Sequence, residues 1–401
     1  MRTLKPDHET PDHETQNRMW VPAFNKTCFP VFLLCLIQAC YAPGNEQVNE
    51  VDPGSGTTHA RGFRIETFPG YTILGVQDPW QGSSGNRLEY VLSSDPSLIP
   101  DSLMHLPAVQ TPVSRVICMS TTHVAMIEAL GKTQSIVGIS GPHYLSTSLI
   151  RERIDAGEDL DVGADQSLNY ERIVSLKPDI VMAYGITAEV SGMVKRLKDL
   201  GITVILNGDY LENEPLGKTE WLKFIAAFYE MGKEADSVFA GIVEEYENYC
   251  QLTRELNDRP GVMTGLPWKD SWYVPGGNSF AAAFIRDAGG EYIWSDTDSR
   301  EAYPVDLESV FARGAVADFW INSGSARSLE DIRATEARLV GFKPFREGTV
   351  YNNTARLNET GGNDFWEAGV LEPHLILADL IRIFHPGLLP GHELRYYERL
   401  H

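Results

Sequence analysis

The chain is 401 residues long, with 43% apolar and 22% charged side chains, enough to bury a sizeable core in two or three domains. Its net charge of −21, from 34 basic against 55 acidic residues, excludes a general nucleic-acid binder, because no Lys/Arg cluster is available to neutralise phosphates.

The amino terminus reads as an address. Residues 6–15 repeat PDHET without hydrophobic periodicity, and translation is expected to begin at Met19. An apolar run at 29–39 is too short to span a bilayer and has the size of a signal-peptide core. It ends in Ile37-Gln38-Ala39-Cys40, which resembles a lipobox with Cys40 as the lipidated residue. Residues 1–40 are thus an over-called start plus lipoprotein signal peptide, and the polar, Gly/Pro-rich stretch 41–61 a flexible tether. Cys28 and Cys35 leave with the signal, so Cys118 and Cys250 are expected as buried free thiols and no disulfide framework is expected.

Residues 62–112 carry short alternating stretches broken by Gly and Pro, expected as antiparallel strands added to the edge of the neighbouring α/β lobe. From Arg115 strands alternate with helices: strands at 115–119, 136–140, 179–184 and 203–207, helices at 123–130, 169–176, 190–200 and 221–231. This grammar implies a mainly parallel sheet covered on both faces. A helix at 233–256 comes next, with Ala235, Val238, Phe239, Ile242, Tyr246, Tyr249 and Leu256 on one stripe. It would run roughly 36 Å and stop before Pro260. The alternation then restarts: strands at 262–266, 272–274, 291–294, 318–322 and 349–353, helices at 279–288, 306–313, 329–338 and 371–384. The two halves echo each other locally. The expected organisation is α/β: an N-terminal lobe at 113–232, the spacer helix at 233–256 and a C-terminal lobe at 257–401.

Ligands of open parallel sheets sit beyond the carboxyl ends of the strands. Here those ends carry aromatic, hydroxyl and amide groups, a surface suited to stacking and hydrogen bonding. No nucleophile elbow, Walker loop, dinucleotide fingerprint or zinc-protease helix is present, so no enzyme activity and no cofactor are expected. His123 and His143 are the only histidines at strand ends and lack a counterpart in the second half to complete a metal site.

The runs RVICMSTTHVAMIEALGKTQSIVGISG (115–141) and NYERIVSLKPDIVMAY (169–184), with GGNDFWE (361–367) before Pro373, resemble the periplasmic substrate-binding proteins of iron-siderophore, haem and cobalamin ABC importers. ERIVSLKPDIV is the most specific part. The resemblance implies two Rossmann-like lobes on one long α-helix, with little hinge closure. It also implies a chelate in the cleft: a ferric siderophore or haem first, cobalamin second. Carried over by position, Tyr144, Tyr184, Trp268, Trp272, Asp364, Phe365 and Trp366 would line that cleft. Arg356, Arg300 or Arg313, if turned inward, would suit an anionic chelate. Glu189 matches one permease-docking acid, whereas the second lobe has Asn278 at the matching place, with Glu301 as a substitute. The implied partners are an ABC permease/ATPase complex and, through the lipid anchor, a bacterial membrane facing the periplasm, with the protein a monomer. Two other classes stay open: a chelatase-like enzyme using His123 and His143, and a glycan-binding surface lipoprotein using Trp80, Trp268 and Trp272.

Overall fold

The computed structural model describes residues 56–164, 167–185, 188–268 and 271–401, the side chains of 188–190 excepted. The expected signal segment, Cys40 and residues 41–55 of the tether lie outside the described residues.

Strands β1 (Phe63–Phe68), β2 (Tyr71–Gln77) and β3 (Arg87–Ser93) form an antiparallel meander, and β4 (Ala108–Gln110) joins β3 in parallel. Next come β5 (Val116–Cys118), β6 (Ile136–Ile139), β7 (Ile180–Ala183) and β8 (Val204–Leu206), all parallel in the order β6-β5-β7-β8. β5 and β7 are buried along their whole length, including Cys118. This is why they read as unbroken apolar runs: helices cover both faces. Those helices are α1 (Thr121–Ala129), α2 (Ser148–Asp155), α3 (Tyr170–Leu176), α4 (Ala188–Asp199) and α5 (Pro215–Ala227). Each chain reversal has local causes. Ser120 and Asn169 cap α1 and α3 by accepting from backbone N–H groups. Gly131 and Gly201 come after α1 and α4 at φ +66° and +78°, a left-handed conformation that side chains disfavour.

The joining helix α6 spans Gly232–Thr253, with Ala235, Phe239, Ile242 and Tyr246 buried on one stripe. It packs against α5 and against the last helix, Pro373–Phe384. The Tyr246 hydroxyl donates to Asp287 at 2.7 Å and ties it to the second lobe.

In that lobe β9 (Gly261–Thr264), β12 (Glu291–Tyr292), β14 (Phe319–Ile321), β15 (Val350–Asn352) and β16 (Glu398–Arg399) form a second sheet, ordered β12-β9-β14-β15-β16. It is parallel except for β16, which lies antiparallel along β15. A small antiparallel sheet of β10 (Pro267–Trp268), β11 (Ser271–Val274) and β13 (Tyr303–Val305) stands beside it. The lobe's helices are α7 (Phe280–Asp287), α8 (Leu307–Gly314), α9 (Leu329–Thr335), α10 (Lys343–Glu347) and α11 (Pro373–Phe384). Two lobes with largely parallel sheets, joined by one long helix, are the architecture expected from the alternation. The helix expected at 221–231 instead starts at Pro215, a residue preorganised for the first helical turn.

The added meander is fused to the first lobe. Leu74, Val76, Tyr90 and Leu92 share one core with Val116, Ile136 and Met182. Residues 57–61, expected within the tether, are tied down. The Glu220 carboxylate, fully buried, accepts from the backbone N–H groups of Thr58, His59 and Ala60 at 2.7–3.0 Å and from the Thr58 hydroxyl at 3.0 Å. Glu212 accepts from Arg61 N at 2.9 Å and Gly62 N at 2.8 Å. These bonds satisfy donors that would otherwise be stranded against α5.

Candidate functional site

The strand ends of the two lobes meet directly. Beyond β6, Gly141 at φ +62° turns the chain into the short helical turn Pro142–Tyr144. Beyond β15, the loop through Asn358 returns across that turn. The Asn358 side chain closes its own loop by accepting from Gly362 N at 2.7 Å. It also reaches the other lobe, donating to His143 O at 3.3 Å and Leu145 O at 3.1 Å. The contact requires glycine at 362: a Cβ there would lie 1.8 Å from Tyr144 O. A few residues on, Glu367, 1% exposed, accepts from Ser146 N at 2.8 Å, from Thr147 N at 2.7 Å and from the Thr147 hydroxyl. A cavity of about 360 Å³ opens along this seam, with Arg151 on the first-lobe wall and Arg356 and Asp364 on the second.

The expected site residues divide into two groups. Tyr144, Trp268 and Trp366 are 49%, 65% and 48% exposed, large rings left in water on the loops that come after buried strands. Tyr184 is half-buried, with the Tyr210 ring edge-on at 6.0 Å. Trp366 has Phe280 at 6.4 Å on one side and Phe365 at 4.7 Å on another. Arg356, partly exposed, donates to the buried Asp364 carboxylate at 2.5 Å. Trp272, expected in the cleft, is instead a core residue. It is fully buried, its indole N–H donates to Thr264 O at 3.0 Å, and its ring lies 5.8 Å from that of Trp320. Phe365 is likewise core, 4% exposed and edge-on to Tyr396 and Tyr397. For Trp272 the cause is hairpin alternation: neighbours on a strand face opposite ways, so exposed Tyr273 leaves Trp272 inward.

The other candidates are also placed. His123 is fully buried, and burial, opposed by the Asp209 charge, pulls its pKa down to about 4, a neutral core imidazole. His143 is exposed beside the Tyr144 ring. Among the described residues no group of three His, Cys, Asp or Glu side chains is placed to hold a metal ion. Arg313 donates to Asp296 and to Ile293 O, away from the seam. Arg300 is exposed, on a small cavity shared with Asp78, Glu212 and Glu214. Asn278 is exposed and donates to Asp298 O, and Glu301 is exposed. Glu189 lies in α4, its side chain outside the described residues. Trp80, 37% exposed, pairs through its backbone with Gly185.

Sequence reasoning missed Lys218. It lies in the first turns of α5, 8% exposed, with its ammonium 5.3 Å from the Phe280 ring centroid and 5.9 Å from that of Trp366. Among the described residues it enters no ion pair. The sequence carried no signal for it, since the helix expected at 221–231 left residue 218 outside, and only the fold buries Lys218 among Pro215–Leu222. A desolvated cation beneath an exposed indole is attracted to the ring faces and is available to an anionic group brought against them.

The family described as periplasmic binding protein matches residues 116–356. An uncharacterized lipoprotein of Methanocaldococcus jannaschii is 28% identical over 299 residues, 72% of this chain and 69% of that protein. A vitamin B12-binding protein of Salmonella typhimurium is 29% identical over 214 residues, 53% of this chain and 73% of that one. Among solved structures, a possible iron-binding (periplasmic solute-binding) protein from Staphylococcus epidermidis superposes with a TM-score of 0.55 at 15% identity. It covers 69% of this chain and 100% of its own, a likeness of fold.

Proposed function

Because this chain belongs to the periplasmic binding protein family, we propose that it is the substrate-binding component of an ABC importer. In this reading it captures a metal chelate between its lobes and delivers it to a membrane permease, and binding, not turnover, is its activity. The observation that carries this is the pair of exposed rings Tyr144 and Trp366, on segments that hydrogen-bond across the inter-lobe seam, with exposed Trp268 a few residues beyond β9. Large rings left in water at such a place suit a flat, partly apolar cargo.

The first cargo is an iron chelate with anionic groups, a ferric siderophore or haem. Lys218 beneath Trp366 and Arg151 on the seam cavity support it, since local cations are needed in a protein of net charge −21. The second reading is cobalamin, whose corrin asks for little charge. It is supported by the vitamin B12-binding relative and by the engagement of Arg356 with Asp364.

Tryptophan-fluorescence titration with haemin, ferric siderophores and cobalamin tests both. Trp366→Ala is expected to cost about 2 kcal/mol or more of cargo affinity. Lys218→Met is expected to weaken haemin by about tenfold and leave cobalamin unchanged. Quenching by none of the ligands would overturn the chelate reading, and equal losses for both would remove Lys218 as the discriminating cation.

Attachment through Cys40 is part of the same reading, supported by Methanocaldococcus jannaschii relatives named lipoproteins. No helix among the described residues is long and apolar enough to cross a membrane. Glu189 is the docking acid on α4. Glu189→Arg should bind cargo normally in solution and fail to support uptake by cells. Unimpaired uptake would discard that assignment.

A further inference from the structure

A second cavity lies wholly on the first lobe. Between the added sheet and α4 is a space of about 950 Å³, walled by Trp80, Tyr90 and Leu106 on one side and by Val194, Val204 and Leu206 on the other. None of its lining residues also lines the seam cavity. Trp80, Tyr90 and Leu106 also precede the segment matched to the family, which begins at residue 116. The Tyr90 ring is fixed as a wall, because its hydroxyl accepts from Leu206 N at 3.0 Å. The cavity opens to solvent past exposed Lys195, Lys198 and Asp199. A mainly apolar space this size is at the upper end of the roughly 300–1,000 Å³ typical of ligand pockets.

Charge at the rim selects the ligand. Arg87 pairs with Glu89 at 3.4 Å and Lys195 with Asp199 at 2.6 Å. Lys198 also lines the cavity and enters no ion pair among the described residues. The lining thus carries three basic against two acidic groups, Arg87, Lys195 and Lys198 against Glu89 and Asp199, in a chain of net charge −21. A local excess of positive charge at the mouth of an apolar space complements a molecule with an apolar body and one anionic head.

We propose that this cavity is a second ligand site, for a small soluble amphiphile bearing a carboxylate or similar monoanion. The apolar body lies along Trp80, Leu106 and Leu206, and the head reaches the Lys198 ammonium.

The test is calorimetric titration of the purified protein with decanoate and, separately, with decanol, both below their aggregation limits. Saturable single-site binding of decanoate, tighter than that of decanol by about tenfold or more, is expected. Lys198→Glu, an exposed change, should abolish that preference without altering decanol binding. Val194→Trp should fill the space and weaken both ligands, with unchanged circular dichroism as the check on folding. Should Val194→Trp misfold, Lys198→Glu alone decides. Non-saturable uptake, equal affinity for the two probes, or decanoate binding untouched by Lys198→Glu would overturn the proposal.

Discussion

Replacing Glu220 with alanine is expected to lower the unfolding free energy by about 2–3 kcal/mol, because it leaves the Thr58, His59 and Ala60 amides without their acceptor, while Lys223 keeps Asp236 at 3.1 Å. The carboxylate holds Thr58, His59 and Ala60 and pairs with Lys223 at 3.0 Å. Burial pushes its pKa up, but the bonds from Ala60, His59 and Thr58 and from Lys223 outweigh that and hold it below the ordinary carboxylate range. A folded pKa below the unfolded one means stabilisation that is complete above the unfolded value. That stabilisation drains away as pH falls through the folded value. Residues 58–60 should therefore be released in acid before the sheets unfold. Urea unfolding measures the first effect, and hydrogen exchange at the Thr58, His59 and Ala60 amides against pH measures the second. Fast exchange at those amides in neutral solution would show that the clamp is not closed.

Glu367→Ala is expected to cost about 2–3 kcal/mol of stability, since it leaves the Ser146 and Thr147 donors without their acceptor inside the seam. It should also loosen the placement of Asn358 and Trp366 against the first lobe and weaken cargo binding by about tenfold. Glu367→Gln keeps an acceptor oxygen and should recover part of both. Paired thermal melts and cargo titrations decide. Unchanged stability with weakened binding would make Glu367 a ligand contact, not a seam residue.

Much of the architecture was legible because it rests on local periodicity. The stripe Ala235, Phe239, Ile242 and Tyr246 sets α6 by its own spacing, and the helix runs over Gly232–Thr253 against the 233–256 expected. The site was less legible. Trp268 and Trp272 look alike in sequence, and only the pairing of Trp272 with Pro267 and Val305 turns one ring inward. The bonds that join the lobes were invisible for a different reason. Ser146 and Glu367 are 221 residues apart, and no spacing rule reaches that far. Lys218 gained its meaning from Phe280 and Trp366, rings that its own helix does not carry.

The strand β16 covers one edge of the second sheet. Paired with Tyr351 and Asn352 of β15, Glu398 and Arg399 occupy backbone groups that would otherwise be open for a neighbouring molecule to extend the sheet. Exposed edges of this kind seed edge-to-edge aggregation, and charged residues on an outer strand discourage it. A glutamate and an arginine in the outermost position of the sheet are suited to that protective role.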